Sequence, residues 1–193
     1  MSDTRDVPYW DIGRAQDDVI RLAERGGFKG HVLEVAAGAG DNCLHLASRE
    51  GLEVLGIDKN PACVERAQAR AVASGSKAVF QVLDAFELAK LKKKFDTILD
   101  SGYFHTLTDE QRPKYVKALE KAVKNKGMLH ILCFSDAEPG KDGPRRIGER
   151  ELIELLNMKG WMVEEVAEAR FETNVHPDGA RAWLASFQRW TPS

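Results

Sequence analysis

Two carboxylates and a run of small residues dominate the chemistry this sequence can offer. Glu34-Val35-Ala36-Ala37-Gly38-Ala39-Gly40-Asp41 leads from an apolar run into a segment of helical pattern. Small residues let the backbone approach a ligand closely. The N-terminus of the following helix offers free N–H groups to a carboxylate or phosphate. A glycine loop by itself equally describes a tight turn. Glu34, just ahead of the loop, could hold an ammonium group, directly or through water. Asp58 ends the next apolar run, 18 residues past Gly40 (58 − 40). From there a carboxylate can accept hydrogen bonds from both hydroxyls of a ribose. The competing reading of Asp58 is a helix-entry turn with Lys59 and Asn60.

These residues need a frame. Short apolar runs alternate with amphipathic segments, which predicts an α/β fold: a mostly parallel sheet with helices on both faces. Strands are expected at His31–Val35, Glu53–Ile57, Ala78–Leu83, Phe95–Leu99 and Met128–Phe134. The unbroken apolar pairs Val32-Leu33 and Ile131-Leu132 suit strands buried on both faces. Asp41 is placed to cap a helix that turns Leu44 and Ala47 inward. Asn60-Pro61 starts a helix that Gly75 ends. A helix is predicted over Asp109–Lys124, with Thr108 and Gln111 at capping-box spacing and Pro113 blurring its start. Another is predicted over Glu149–Met158, with Leu152, Leu155 and Leu156 on one face. Two last strand-like runs, Trp161–Phe171 and Ala182–Trp190, lie too close together for a crossover and should pair antiparallel.

The 193 residues are 43% hydrophobic and 30% charged with a net charge of −2, a balance that predicts one soluble domain. A field that would draw the chain onto nucleic acid is not expected. Met1–Asp6 contains no apolar run, so no secretory signal is expected, and no stretch approaches a membrane span. Cys43, Cys63 and Cys133 form no Cys-x-x-Cys, and His31, His45, His105, His130 and His176 show no metal-ligand spacing. Reduced thiols, a cytoplasmic location and no metal are the expectations. Lys90–Lys94, basic but without interleaved aromatics, reads as a solvated helix end.

Glu34-x-Ala36-x-Gly38-x-Gly40 resembles the first motif of the class I S-adenosylmethionine (SAM)-dependent methyltransferases, acidic-x-Gly-x-Gly-x-Gly, with Ala36 in place of the first glycine. The resemblance covers nearly the whole chain, including the antiparallel final strands. It implies a Rossmann-like seven-stranded sheet, SAM as methyl donor and S-adenosylhomocysteine as product. It puts Glu34 near the methionine amino group, Ala36, Gly38 and Gly40 under the cofactor, and Asp58 with Lys59 at the ribose. Asp84 and Ala85 would meet the adenine edge and Phe86 its face; the alternative for Asp84 is a simple turn or cap. A narrower likeness, to the thiopurine and heterocyclic-toxin methyltransferase group, rests on Pro8–Gln16, Asp100-Ser101-Gly102-Tyr103-Phe104-His105 and Cys133-Phe134-Ser135-Asp136. It implies a small aromatic or heterocyclic acceptor methylated on O, S or N. It also implies an N-terminal lid within residues 1–27, bringing Trp10 and Gln16 to the cofactor and Tyr9 to the substrate, over a core formed by residues 28–193.

The segment after the fourth strand faces the transferred methyl in this fold. His105 titrates near neutrality and is the expected base for a hydroxyl acceptor. Asp100 would orient His105 or hold the cofactor ammonium, with Asp136 a second partner. Tyr103, Phe104 and Phe134 would wall the substrate, or belong to the core. Arg145 and Arg146 would meet an anionic substrate group, or pair with Glu149 and Glu151. The sequence holds no Asn-Pro-Pro-Tyr, which argues against exocyclic amines of nucleic acid as acceptors. Two other classes remain open: a nicotinamide-dependent oxidoreductase, although its third glycine would fall on Cys43, and a degenerate SAM-binding protein.

Overall fold

A computed structural model describes residues 8–190. Met1–Asp6, and Val7 of the aromatic N-terminal stretch, lie outside the described residues. The elements are α1 (Asp17–Glu24), β1 (His31–Val35), α2 (Asp41–Ala47), β2 (Glu53–Asp58), α3 (Pro61–Ser74), β3 (Val79–Val82), β4 (Phe95–Ser101), α4 (Arg112–Ala122), β5 (Val123–Phe134), α5 (Glu149–Asn157), β6 (Trp161–Thr173) and β7 (His176–Arg189). Short 3-10 turns span Ala85–Lys90 and Phe104–Thr106.

Seven strands form one sheet in the order β3-β2-β1-β4-β5-β7-β6. The first five run parallel; β7 is antiparallel to both β5 and β6. β6 therefore points the same way as β5. Its C-terminal end reaches the sheet edge where β1, β2 and β4 also end, the edge at which open α/β sheets bind ligands. The expected antiparallel pair is present, but it is longer than its apolar pattern. Backbone pairing continues to Thr173↔His176, leaving Asn174 and Val175 as the turn.

Neighbouring strand residues serve opposite layers because side chains alternate. Leu33, Ile98 and Ile131 pack with Tyr115, Leu119, Leu152 and Leu156 from α4 and α5. Val32, Leu99 and Leu132 pack with Val19, Leu22, Leu46 and Ala71 from α1 to α3. The helix signals are realised where side chain and backbone agree. Asn60 Oδ1 accepts from Ala62 N at 3.0 Å, Pro61 opens α3, and Gly75 closes it at φ +65°. Thr108 and Gln111 make both bonds of a capping box. One local expectation is corrected. Asp41 does not cap α2; Gly40 stands at that position and Asp41 pairs with Arg70. Asn42, Cys43 and Leu46 are the fully buried residues of α2, and Leu44 and Ala47, expected to turn inward, are partly buried and pack against the same core.

No helix among the described residues is long and apolar enough to cross a membrane.

Candidate functional site

The C-terminal ends of β1, β2 and β4 open onto a cavity of about 370 Å³, within the range of small-molecule sites. Its floor is the loop from Ala36 to Ala39. Its sides are Glu34, Asp58, Lys59, Leu83 and Ala85 at one end, and Ser101, Gly102, Tyr103, His105 and Phe171 at the other. Tyr9, Trp10, Asp11, Arg14 and Gln16 close it from the N-terminal segment.

Glu34 is 3% exposed and looks toward α2. Asn42 Nδ2 and Cys43 Sγ each donate to it at 2.8 Å. Burial pushes its pKa up to about 7, while these two donors pull it back. Among the described residues no cation is paired with it, so the cavity holds a deep carboxylate that would gain from an ammonium group.

The loop turns through left-handed backbone at Ala36, Gly38 and Gly40. Ala36 adopts φ +53°, a conformation that favours glycine, and its methyl packs toward the core while lining the cavity. An alanine pays about 1–2 kcal/mol for a left-handed backbone. Ala36→Gly is therefore expected to stabilise the protein by about 1 kcal/mol, raising Tm by roughly 2–4 °C in a calorimetric scan. A lower Tm would show that the methyl contacts outweigh the strain. Gly38 (φ +55°) cannot carry a side chain for another reason: a Cβ there would stand 2.8 Å from Cζ3 of Trp10. The indole rests directly on the loop.

Asp58 accepts from Gly38 N through Oδ2 (3.0 Å) and from Asn60 N through Oδ1 (2.8 Å). It braces the loop and still lines the cavity, its remaining lone pairs free to accept from a diol. The fit to SAM is thus direct: a buried carboxylate at one end, a glycine floor, and a half-buried carboxylate at the other end of the loop.

The N-terminal segment is tied down by the β6–β7 hairpin. Asn174 N donates to Tyr9 O, and Asn174 Nδ2 to Asp11 O. Gln16 exchanges side-chain bonds with the backbone of Glu172, whose carboxylate pairs with Arg14. Asp11 is also paired with Arg66 of α3. Gln16 N donates to Asn42 Oδ1 at 3.0 Å, joining this segment to the Glu34 pocket.

The other expected residues divide. Tyr103 and His105 face the cavity. Asp100 is fully buried beneath their loop and does not meet His105: Oδ1 accepts from Tyr103 N and Phe104 N, and Oδ2 from Tyr115 OH at 2.7 Å. Burial raises its pKa to about 6 against these three donors. His105 Nδ1 instead accepts from Phe134 N at 2.9 Å. Burial, with Arg146 and Arg112 nearby, lowers the His105 pKa to about 3.

Asp84 caps the turn after β3 by accepting from Phe86 N, and Phe86 packs edge-on against Tyr115, so neither lines the cavity. Phe104 is core, beneath the Arg112 guanidinium. Phe134 is fully buried behind His105, with ring centroids 4.9 Å apart. Arg145 pairs with Glu151 and Asp109. Arg146 lies over Phe134 and binds the Pro144, Glu138 and Pro139 carbonyls. Asp136 lies off the cavity, in the loop that follows β5. The sequence reading missed Phe171, Asn42 and Asp11. The direction of β6 was the one signal that could have placed Phe171 at the ligand edge.

Among the described residues no group of three or more His, Cys, Asp or Glu is arranged to hold a metal ion.

Comparison with known proteins agrees with this geometry. A methyltransferase-domain model matches residues 32–127. The chain is 32% identical, over 94% of its length and 81% of the relative's, to a 2-heptyl-1-hydroxyquinolin-4(1H)-one methyltransferase of Mycobacteroides abscessus. It is 25% identical, over 95% of its length and 80% of the relative's, to a probable thiol methyltransferase 2 of Arabidopsis thaliana. Among solved structures it resembles one described for the conversion of a disulfide bond into a thioacetal group during echinomycin biosynthesis. That match has a TM-score of 0.86 and 30% identity and covers 97% of this chain and 88% of the other. The oxidoreductase alternative falls away, and the third dinucleotide glycine is replaced by Cys43, whose thiol is buried on Glu34. The glycine loop, the buried Glu34 and the antiparallel end of the sheet thus have one common explanation: the chain belongs to the class I SAM-dependent methyltransferases, in the company of members that methylate small molecules.

Proposed function

We propose that the cavity binds SAM along the Glu34–Asp58 side and a small aromatic or heterocyclic acceptor against Tyr9, Tyr103, His105 and Phe171, and that methyl transfer to O, S or N occurs between them. The observation that carries this reading is the continuity of one cavity from the glycine loop to the Tyr103–His105 turn.

SAM supplies an electrophilic methyl group when bound. The protein's contribution is position and dryness. Glu34 is the partner for the amino group, Ala36 and Gly38 give backbone access while Gly40 lies against Phe80 and Ala67 outside the cavity lining, and Asp58 with Lys59 takes the ribose. Leu83 and Ala85 flank the base, in place of Asp84 and Phe86. Trp10 and Gln16, held by the hairpin, cover the cofactor. Asp100 acts beneath the surface: its three accepted bonds fix the loop that presents Tyr103 and His105.

Calorimetry should show SAM binding and no comparable heat with NAD. S-adenosylhomocysteine should form in the presence of aromatic thiols or phenols. No SAM binding, or no product across such a panel, would overturn the reading.

A further inference from the structure

The acceptor end of the cavity contains a histidine whose two nitrogens have been assigned opposite jobs by the fold. His105 Nδ1 accepts the backbone N–H of Phe134. A nitrogen that accepts carries no proton, so in the neutral ring the proton sits on Nε2. Nε2 has no protein partner among the described residues. It lies 3.7 Å from where a Cβ on Gly102 would stand, at the cavity wall. His105 is 2% exposed and lines the cavity, so its one unpartnered polar atom is an N–H at the acceptor end.

The groups around it hold that state. Burial, then Arg146 of the loop after β5 and Arg112 of α4, disfavour a second proton on the ring. Phe134 and Phe171 pack edge-on at 4.9 and 5.5 Å. His176 of β7 lies beyond Phe134. Asp100, beneath the same loop, is spent on Tyr103, Phe104 and Tyr115, and Asp109 pairs with Arg112 and Arg145. The cavity's other carboxylates have partners at the far end: Glu34 with Asn42 and Cys43, Asp58 with two amides, Asp41 with Arg70 and Asp11 with Arg66. Tyr103 stays protonated, burial and nearby carboxylates pushing it up to about 12.

We propose that His105 is a fixed N–H donor and not a base, and that the enzyme therefore selects acceptors that arrive as anions: aromatic thiolates and acidic hydroxyls or N-hydroxyls of heteroaromatic rings. This rests on the methyl-transfer reading above. The acceptor's lone pair forms the bond to the methyl carbon, the carbon–sulfur bond breaks with its pair left on sulfur, and no proton is transferred. Sulfonium and anion both become neutral. A basic nitrogen lone pair on the protein is unnecessary, and a donor beside the anion orients it.

The test compares para-nitrothiophenol, para-nitrophenol and phenol across pH. The midpoint of the rise in kcat/KM should follow each acceptor's own ionisation, low for the nitro compounds and high for phenol. A midpoint shared by all three would overturn the proposal while leaving methyl transfer intact; no product from any of them would overturn both. His105→Gln, which retains an N–H, should keep most of the activity. His105→Ala should lose about 10²-fold in kcat, the usual effect of removing one preorganised donor. A readout independent of turnover is the nitrogen NMR spectrum of the ligand-free protein. The His105 ring should show the Nε2–H tautomer unchanged from about pH 5 to about pH 8, the range in which an unperturbed histidine titrates. Titration within that range, or the Nδ1–H tautomer, would overturn the assignment.

Discussion

Replacing Glu34 with glutamine is expected to stabilise the protein by about 3 kcal/mol at pH 8 and to change little below about pH 4. The folded protein holds the Glu34 proton up to about pH 7, while the ordinary value is 4.5. Between those values the folded state binds the extra proton. Stability therefore falls as pH rises from 4.5 through 7, by about 1.4 kcal/mol per unit of difference. Glutamine removes the charge and keeps an acceptor for Asn42. Asp100 titrates in the same sense, from 3.8 to about 6. His105 and His130 oppose them: burial lowers both from 6.5, to about 3 and about 4. Their contribution is complete above 6.5 and is lost as pH falls through the lowered values. The wild type should show a shallow pH profile over this range because the two pairs cancel. Glu34→Gln should unmask a rising limb. Urea unfolding at about pH 4, 6 and 8 measures this directly; an advantage that does not grow with pH would refute it. The same variant should bind SAM more weakly, because its amino group loses a charged partner. Greater stability with poorer binding is the mark of a residue retained for its ligand.

Gly102→Ala is expected to damage both the fold and the acceptor site. Gly102 sits at φ +87°, and its amide is held by Leu132 O at 2.9 Å. A Cβ would stand 2.7 Å from the Phe171 ring, which is wedged between His105 and Phe134 with centroids 5.5 Å from each. The left-handed backbone costs about 1–2 kcal/mol and overpacking a further 1–3. A loss of about 3 kcal/mol corresponds to a Tm lower by roughly 6–12 °C. At a temperature where the variant is folded, turnover should fall further than SAM affinity, because the glycine loop lies at the other end of the cavity. Phe171→Leu should recover part of the loss in a double-mutant cycle. Additive effects would show that the ring is not what the new methyl meets.

How far the sequence reveals this site depends on whether a residue's role is local. Asn60, Pro61 and Gly75 set the ends of α3 through bonds to their own neighbours, and all three were legible. Thr108 and Gln111 were legible for the same reason. Glu34 and Asp58 were conspicuous because strand ends and acids coincide. Asp100 was conspicuous too, but its partners were not: Tyr115 reaches it from α4, and that contact exists only after α4 packs on the sheet. Leu44 and Ala47 pack on the core as their apolar pattern suggests, whereas the inward turn of Asn42 and Cys43 onto Glu34 is a contact that pattern does not show. Arg145 and Arg146 found carbonyls and carboxylates within their own loop and on α4–α5 surfaces. The hairpin's extra pairing beyond Phe171 is carried by backbone bonds that polar residues make as well as apolar ones.

The single amide of Asn42 has a further consequence. Its nitrogen serves Glu34 and its oxygen serves the backbone N–H of Gln16, at the start of α1. If the N-terminal segment lifts, that oxygen loses its donor and the amide is free to turn away from the carboxylate. The hold on Glu34 and the hold on the N-terminal segment thus pass through one side chain, so a ligand that engages Glu34 is felt at the start of α1, and the coupling must read the same from either side.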